Sequence, residues 1–346
     1  MQIDRILIVG LGSIGGRHLR LARLHFPYAD IRVLRHQISS TIPEFSNGCF
    51  FSLQEAISFL PQMAVIANPA SHHLYSARAL AEIGSHLLIE KPLSINTKGV
   101  VELIQVCEKK NIVLLIGYNL RYLPSLRYFR QLINADIIGR VLSVRCEVGH
   151  YLPTWRPGVD YRLTVSGKHV LGGGILLELS HELDYLRWIF GEVHWVSAVL
   201  STQSDLEIDV EDSAHITLGF VPPLKRKAII GVLNMDFIRH DNTRICTAIG
   251  EKGSLRWDGI SGEVQLYETD STIWRPLLKY KNLRDDSYLE EWKNFKECIL
   301  NRGKPLISGD DGLKVLQIIE ATKNSSNEDG RRTLIESAVI AAKVES

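Results

Sequence analysis

A short aliphatic run, Ile6-Leu7-Ile8-Val9, stops at Gly10-Leu11-Gly12-Ser13-Ile14-Gly15, and residues 15–25 continue with apolar side chains at helical spacing. Strand, tight glycine turn and helix in immediate succession leave few folds open. Each glycine has its own reason to lack a side chain: one makes the turn, one lets the backbone approach a pyrophosphate, and one lets the helix pack on the strand. The free amides at the start of the helix then face the anion. The pattern predicts a dinucleotide site with Gly10, Gly12, Ser13, Ile14 and Gly15 against the phosphates.

The alternation continues. Strand-like runs recur at residues 31–34, 64–67, 86–89 and 114–117, with a helix-like stretch over 74–83, which reads as a doubly wound parallel sheet, a Rossmann domain. Beyond Pro124 the pattern changes to longer runs with period-two alternation, at 141–148, 193–200, 214–220 and 228–237, the mark of a mostly antiparallel open sheet. A length of 346 residues also exceeds one ordinary core. The expected fold is therefore α/β: a Rossmann NAD(P)-binding domain over 1–122 and an α+β substrate-binding and oligomerisation domain over 123–346. Residues 149–174, rich in Gly, Pro, aromatics and Arg, form a connection long enough to be functional, and substrate contacts are expected there. Two helix-like stretches follow over 287–323, broken at 303–309.

Forty Lys and Arg against 39 Asp and Glu leave a formal charge of +1, so nothing draws the chain to nucleic acid or anionic lipid. A small-molecule partner is expected. Five scattered cysteines without a CxxC pair fit neither a disulfide framework nor a zinc site. With no signal-peptide pattern and no apolar run of membrane-spanning length, a cytoplasmic location without membrane contact is expected.

Cofactor choice turns on the end of the second strand. A carboxylate there accepts hydrogen bonds from a ribose 2'-hydroxyl and repels a 2'-phosphate. This chain has Arg35, followed by His36, Ser39 and Ser40, and the expectation is NADP in preference to NAD. The alternative, Arg35 stacked on adenine or lying in solvent, leaves NAD or both.

Further matches extend along the chain: His18 after the glycine turn, Ala67-Asn68-Pro69 with His72, Glu90-Lys91-Pro92, Gly117-Tyr118-Asn119 with Arg121, Gly172-Gly173-Gly174 leading to His181-Glu182-Leu183-Asp184, and a tail with Gly309-Asp310-Asp311-Gly312. In order and spacing they resemble the Gfo/Idh/MocA oxidoreductase family over nearly the whole length. The resemblance implies hydride transfer between NAD(P) and a secondary alcohol or ketone, with Arg35, His36, Asn68, Pro69, His72, Glu90, Lys91 and Asn119 joining the glycine turn around the cofactor. It also implies a homodimer or homotetramer. The segments Tyr151-Leu152-Pro153, Trp155-Arg156-Pro157 and Asp160-Tyr161-Arg162 are similar to those of members linked with surface-polysaccharide sugars, which points to a sugar, amino sugar or nucleotide sugar as substrate.

Oxidising a secondary alcohol needs a group that takes the hydroxyl proton and donors that orient the oxygen. Lys91, placed beside the nicotinamide by the resemblance, and His181 are the candidates, and the choice between them stays open. Glu178 and Asp184 lie three residues to either side of His181, near its helix face, where a carboxylate would fix its tautomer. The family's usual Asp four residues before the histidine is Leu177 here, so the third member of the set is open too. For substrate the candidates are Lys91, Arg121, Tyr151, Trp155, Arg156, Tyr161, Arg162 and His181: aromatic faces pack on sugar rings and guanidinium forks bind carboxylate or phosphate. His72 and His73 are adjacent, so on a helix they point apart, no third ligand is near, and no metal is expected. The rivals are a redox-assisted elimination or hydrolysis that recycles its cofactor, and a non-catalytic dinucleotide-binding regulator.

Overall fold

The structure is a computed structural model, and it describes residues 2–36, 41–221, 227–281 and 283–336. Ser39 and Ser40, expected near Arg35, lie outside the described residues. The chain divides into two compact units. In the first, six strands run parallel: β1 (Arg5–Val9), β2 (Asp30–Leu34), β3 (Gly48–Phe50), β4 (Met63–Ile66), β5 (His86–Glu90) and β6 (Leu114–Gly117), in the order β3-β2-β1-β4-β5-β6. The helices α1 (Ser13–His25), α2 (Leu53–Ser58), α3 (His73–Glu82) and α4 (Val100–Lys109) connect them. Strand order reverses between β1 and β4, and the glycine turn leaves β1 at that point, where such sheets open a crevice for a ligand. The strands are aliphatic because both faces are covered. All four residues of β4 are buried.

In the second unit α5 (Pro124–Asn134), α6 (Ile175–Glu178) and α7 (His181–Phe190) accompany a nine-stranded sheet. Its strands are β7 (Val141–Gly149), β8 (Val193–Ser201), β9 (Ser213–Phe220), β10 (Ile230–Asp236), β11 (Thr243–Gly250), β12 (Gly253–Asp258), β13 (Glu263–Glu268), β14 (Arg275–Lys279) and β15 (Thr333–Leu334). They lie in the order β14-β13-β12-β11-β7-β10-β9-β8-β15, and among the described residues only the β7–β10 pairing is parallel. Period-two alternation is plain in β7, where Val144, Cys146 and Val148 are buried and Arg145 and Glu147 are exposed.

Two helices lie between β14 and β15, α8 (Asp286–Asn301) and α9 (Gly309–Asn327). The first unit comprises Met1–Asn119, Val170–Gly172 and Ser287–Leu316, and the rest of the chain forms the second. Where the sequence groups 123–346 together, α8 therefore clusters with the parallel sheet. The reason is apolar: Trp292, Phe295 and Ile299 share a buried core with Ile6, Ile8, Leu19, Leu21, Ile31 and Val65. Among the described residues no helix is long and apolar enough to cross a membrane, and all five cysteines are free thiols.

Candidate functional site

The glycine turn of the first unit is built as its chemistry requires. Gly10 has φ +92°, and a Cβ there would lie 2.8 Å from the carbonyl oxygen of Ala67 and the amide nitrogen of Asn68. A Cβ on Gly15 would come within 2.2 Å of the Gly10 carbonyl oxygen. Gly12 differs, since a Cβ there would meet nothing within 4 Å. It precedes α1, whose first turn has no side-chain cap and no acidic residue. The start of α1 thus offers unsatisfied amides and the positive end of the helix dipole beside open space, which fits a pyrophosphate.

Around that turn the structure gathers several of the expected residues. At the end of β2, Arg35 donates its backbone N–H to the Phe50 carbonyl, and the imidazole of the exposed His36 lies 6.4 Å from that of His72, centroid to centroid. The Asn68 side-chain nitrogen Nδ2 is 3.5 Å from Ser76 Oγ. His73, which the sequence considered only as a poor metal partner for His72, is the buried one of the pair: its Nε2 lies 2.8 Å from the Asn68 carbonyl oxygen and its Nδ1 2.9 Å from that of Pro92. Burial holds its ring toward the neutral form. It ties the Ala67-Asn68-Pro69 turn to the Glu90-Lys91-Pro92 turn, whose Lys91–Pro92 peptide is cis.

Glu90, at the end of β5, is buried; one carboxylate oxygen lies 2.7 Å from His18 Nε2 and the other accepts the Lys91 backbone N–H at 3.2 Å. Lys91 itself is half-buried. Asn119 is buried, its amide donating to Ser287 Oγ at 2.8 Å, so a residue expected at the cofactor also anchors the start of α8.

In the second unit His181 begins α7 and is half-buried, and Glu178 ends the short α6 before it. The preceding glycines allow close approach: a Cβ on Gly173 would lie 2.3 Å from the Val165 carbonyl oxygen, and Gly174 has φ +105°. Asp184 and Arg121, expected respectively at His181 and on substrate, are brought to each other. Arg121 Nε donates to one Asp184 oxygen at 2.8 Å and its Nη2 to the other at 2.6 Å, in a site where both side chains are buried.

The loop residues also meet. Leu152, Trp155, Arg156, Val159, Tyr161, Thr164 and Ser166 line a cleft. Trp155 is held by a hydrogen bond from its indole N–H to the His150 carbonyl and by edge contact with Phe237. Tyr151 packs on His240, with ring centroids 4.3 Å apart. Arg162 pairs with Asp160 and with Glu207, a partner 45 residues away that sequence reasoning had no signal to find.

Comparison with known proteins adds to this geometry. Residues 5–118 match the description "Oxidoreductase family, NAD-binding Rossmann fold" and residues 130–334 match "Oxidoreductase family, C-terminal alpha/beta domain". A myo-inositol 2-dehydrogenase of Thermotoga maritima is 28% identical, over 94% of this chain and 96% of the relative. Among solved structures, a levoglucosan dehydrogenase in complex with NADH superposes with a TM-score of 0.83 at 21% identity, covering 97% of this chain and 100% of the other. The WlbA dehydrogenase from Bordetella pertussis, in complex with NADH and UDP-GlcNAcA, gives 0.78 at 22% identity with the same coverage.

Proposed function

The chain belongs to the Gfo/Idh/MocA oxidoreductase family, and from that premise we propose that it transfers hydride between a nicotinamide dinucleotide and the CH–OH carbon of a sugar, amino sugar or nucleotide sugar. The observation that carries this reading is the uncapped start of α1 beside the open face of Gly12. A bound nicotinamide supplies the hydride acceptor or donor. The protein's own residues hold and orient: Gly10, Gly12, Ser13, Ile14 and Gly15 at the phosphates, and Asn68, Pro69, His72, Glu90 and Asn119 around the rest of the cofactor. Lys91 and His181 are each a candidate for the group that takes the hydroxyl proton, and the choice between them stays open. Glu178 stays a candidate partner for His181. Because Arg121 and Asp184 neutralise each other in a buried pair, we read both as positioning α7 and not as touching substrate. The side chains of Trp155, Arg156 and Tyr161 suit contacts to a polyhydroxylated ligand, with aromatic faces for a sugar ring and a guanidinium for a charged group. Arg162, already paired with two carboxylates, is a brace for that loop. A homodimer or homotetramer completes the proposal, and light scattering after size exclusion reads it.

The test is a fluorescence titration with NADH and NADPH at matched salt, followed by a screen of cyclitols, anhydrosugars and nucleotide-linked uronic acids for a change in NAD(P)H absorbance. Failure of the folded protein to bind either dinucleotide refutes the proposal. Product formed without net NAD(P)H change would place the chemistry among cofactor-recycling eliminations. For the choice of cofactor we propose NADP over NAD, supported by Arg35 where a carboxylate would exclude the 2'-phosphate, with His36 and His72 close by. Arg35→Asp is expected to lower the NADPH-to-NADH affinity ratio at least tenfold, about 1.4 kcal/mol. An unchanged ratio assigns Arg35 to adenine stacking or solvent.

A further inference from the structure

In the first unit, His18 on α1, Glu90 at the end of β5 and Glu291 on α8 form a buried cluster whose nitrogen and carboxylate atoms lie within 4.8 Å of one another. Three such groups raise the question of a cation, and the His18 ring answers it. Trp292 Nε1–H, which can only donate, points at His18 Nδ1 from 3.0 Å. That nitrogen is therefore bare, and the ring proton sits on Nε2, which donates to Glu90 at 2.7 Å. A metal at Nε2 would displace this proton and leave an imidazolate in an apolar core. The arrangement fits a relay of hydrogen bonds.

Glu291 stands differently. It is fully buried, and among the described residues neither of its carboxylate oxygens has a hydrogen-bond partner. Ionised, it would be an uncompensated charge beside another carboxylate, which an interior does not tolerate.

We propose that Trp292 and His18 are positioning residues: the relay from Trp292 through His18 clamps the Glu90 carboxylate against the Lys91 backbone N–H, with Glu291 lying beside it as a neutral acid. Burial first, and then the charge of Glu90, push the Glu291 carboxyl well above the ordinary carboxylate range. The cluster thus carries one negative charge and not two. The other groups facing it are compatible. Arg17 lies over the Tyr288 ring at 4.6 Å, Tyr288 is held protonated by burial and by Glu90, the buried His73 feels the Glu90 charge, and His25 stacks on Trp292. Gly117 is the neighbour that makes room, since a Cβ there would sit 3.1 Å from Glu90 Oε2. The consequence is that α8, remote in sequence, fixes the main chain at Lys91 ahead of Pro92. This rests on the reading of Lys91 as acting beside the nicotinamide.

The test has three parts on the full chain. Nitrogen-15 spectra of labelled histidine should show His18 neutral and protonated at Nε2 near neutral pH, with Trp292→Phe releasing that tautomer preference; a cationic or Nδ1-protonated His18 in the wild type overturns the relay. Infrared spectra should contain a protonated carboxyl band that Glu291→Gln removes, and its absence from the wild type overturns the neutral acid. With a sugar found in the screen above, His18→Gln, which keeps a donor toward Glu90, should retain kcat within about threefold. His18→Leu should lose at least about tenfold in kcat at unchanged NADH affinity. Equal losses in the two variants would reduce His18 to packing and overturn the positioning role. A protein that binds no NAD(P)H would instead sink the proposed function, while the two spectroscopic signatures still decide the clamp.

Discussion

Asp184→Ala is expected to lower the unfolding free energy by about 3–5 kcal/mol, because it removes the carboxylate that the buried Arg121 guanidinium grips through two N–H bonds. The side chains of the pair are 4% and 2% exposed, and the carboxylate takes two parallel N–H bonds. Losing one partner therefore removes two hydrogen bonds together with the ionic contact. The surroundings aggravate the loss: Arg121 lies over the Trp188 ring at 5.7 Å and Arg130 over the same ring at 4.3 Å, so removing Asp184 leaves two guanidinium groups sharing one indole. Burial and the nearby Arg121 already disfavour the charged form of Arg130. The double variant Arg121→Met with Asp184→Leu should recover most of the stability, since it removes both desolvation costs together. Urea unfolding of the wild type, Arg121→Met, Asp184→Leu and the double variant closes the cycle. A cost below about 1 kcal/mol for Asp184→Ala would mean that water reaches the pair and that it does not hold α7.

The second large effect separates fold from ligand within one turn. Gly15→Ala is expected to prevent stable folding of the first unit, because its Cβ would lie 2.2 Å from a backbone oxygen held at the other end of the same turn. No side chain can move aside there. Gly12→Ala should leave the unfolding midpoint nearly unchanged: its φ of −71° is open to any residue and a Cβ meets nothing within 4 Å. It should nevertheless weaken NADH binding about 100-fold, ~2.7 kcal/mol, because that open space is where the pyrophosphate approaches. A Gly12→Ala protein that binds NADH as tightly as the wild type would move the phosphates away from this turn. Thermal melts with and without NADH report both halves of the prediction.

What the sequence made legible is local. The run from Ile6 to His25 names its strand, turn and helix because each is specified by neighbours in the chain, and the observed β1 and α1 follow directly. The switch to period-two alternation after Pro124 likewise reported a sheet with one face buried. Strands β11 to β15 are not among the expected runs, although Gly250-Glu251-Lys252-Gly253 at the junction of β11 and β12 is a hairpin signal. The candidate site was legible where its residues fall in short motifs, and illegible where partners are distant. Nothing near Arg121 announces that Asp184, 63 residues on, will occupy its guanidinium. Nothing near Glu90 announces Glu291 or the indole of Trp292. His73 illustrates a subtler limit: two adjacent histidines look alike in sequence, and only burial distinguishes the one that braces two turns from the one left exposed.

The placement of α8 also has a consequence during synthesis. Trp292 meets His18 across 274 residues and lies 175 residues beyond Gly117, the end of β6, so at elongation rates of about 5–20 residues per second the finished N-terminal sheet waits roughly 9–35 s for the indole that completes its core. Through that interval the aliphatic patch later covered by Trp292, Phe295 and Ile299 stays bare on the nascent chain. Exposed surface of this kind is what holdase chaperones capture, and a ribosome stalled before α8 would present them with a parallel sheet still missing one wall.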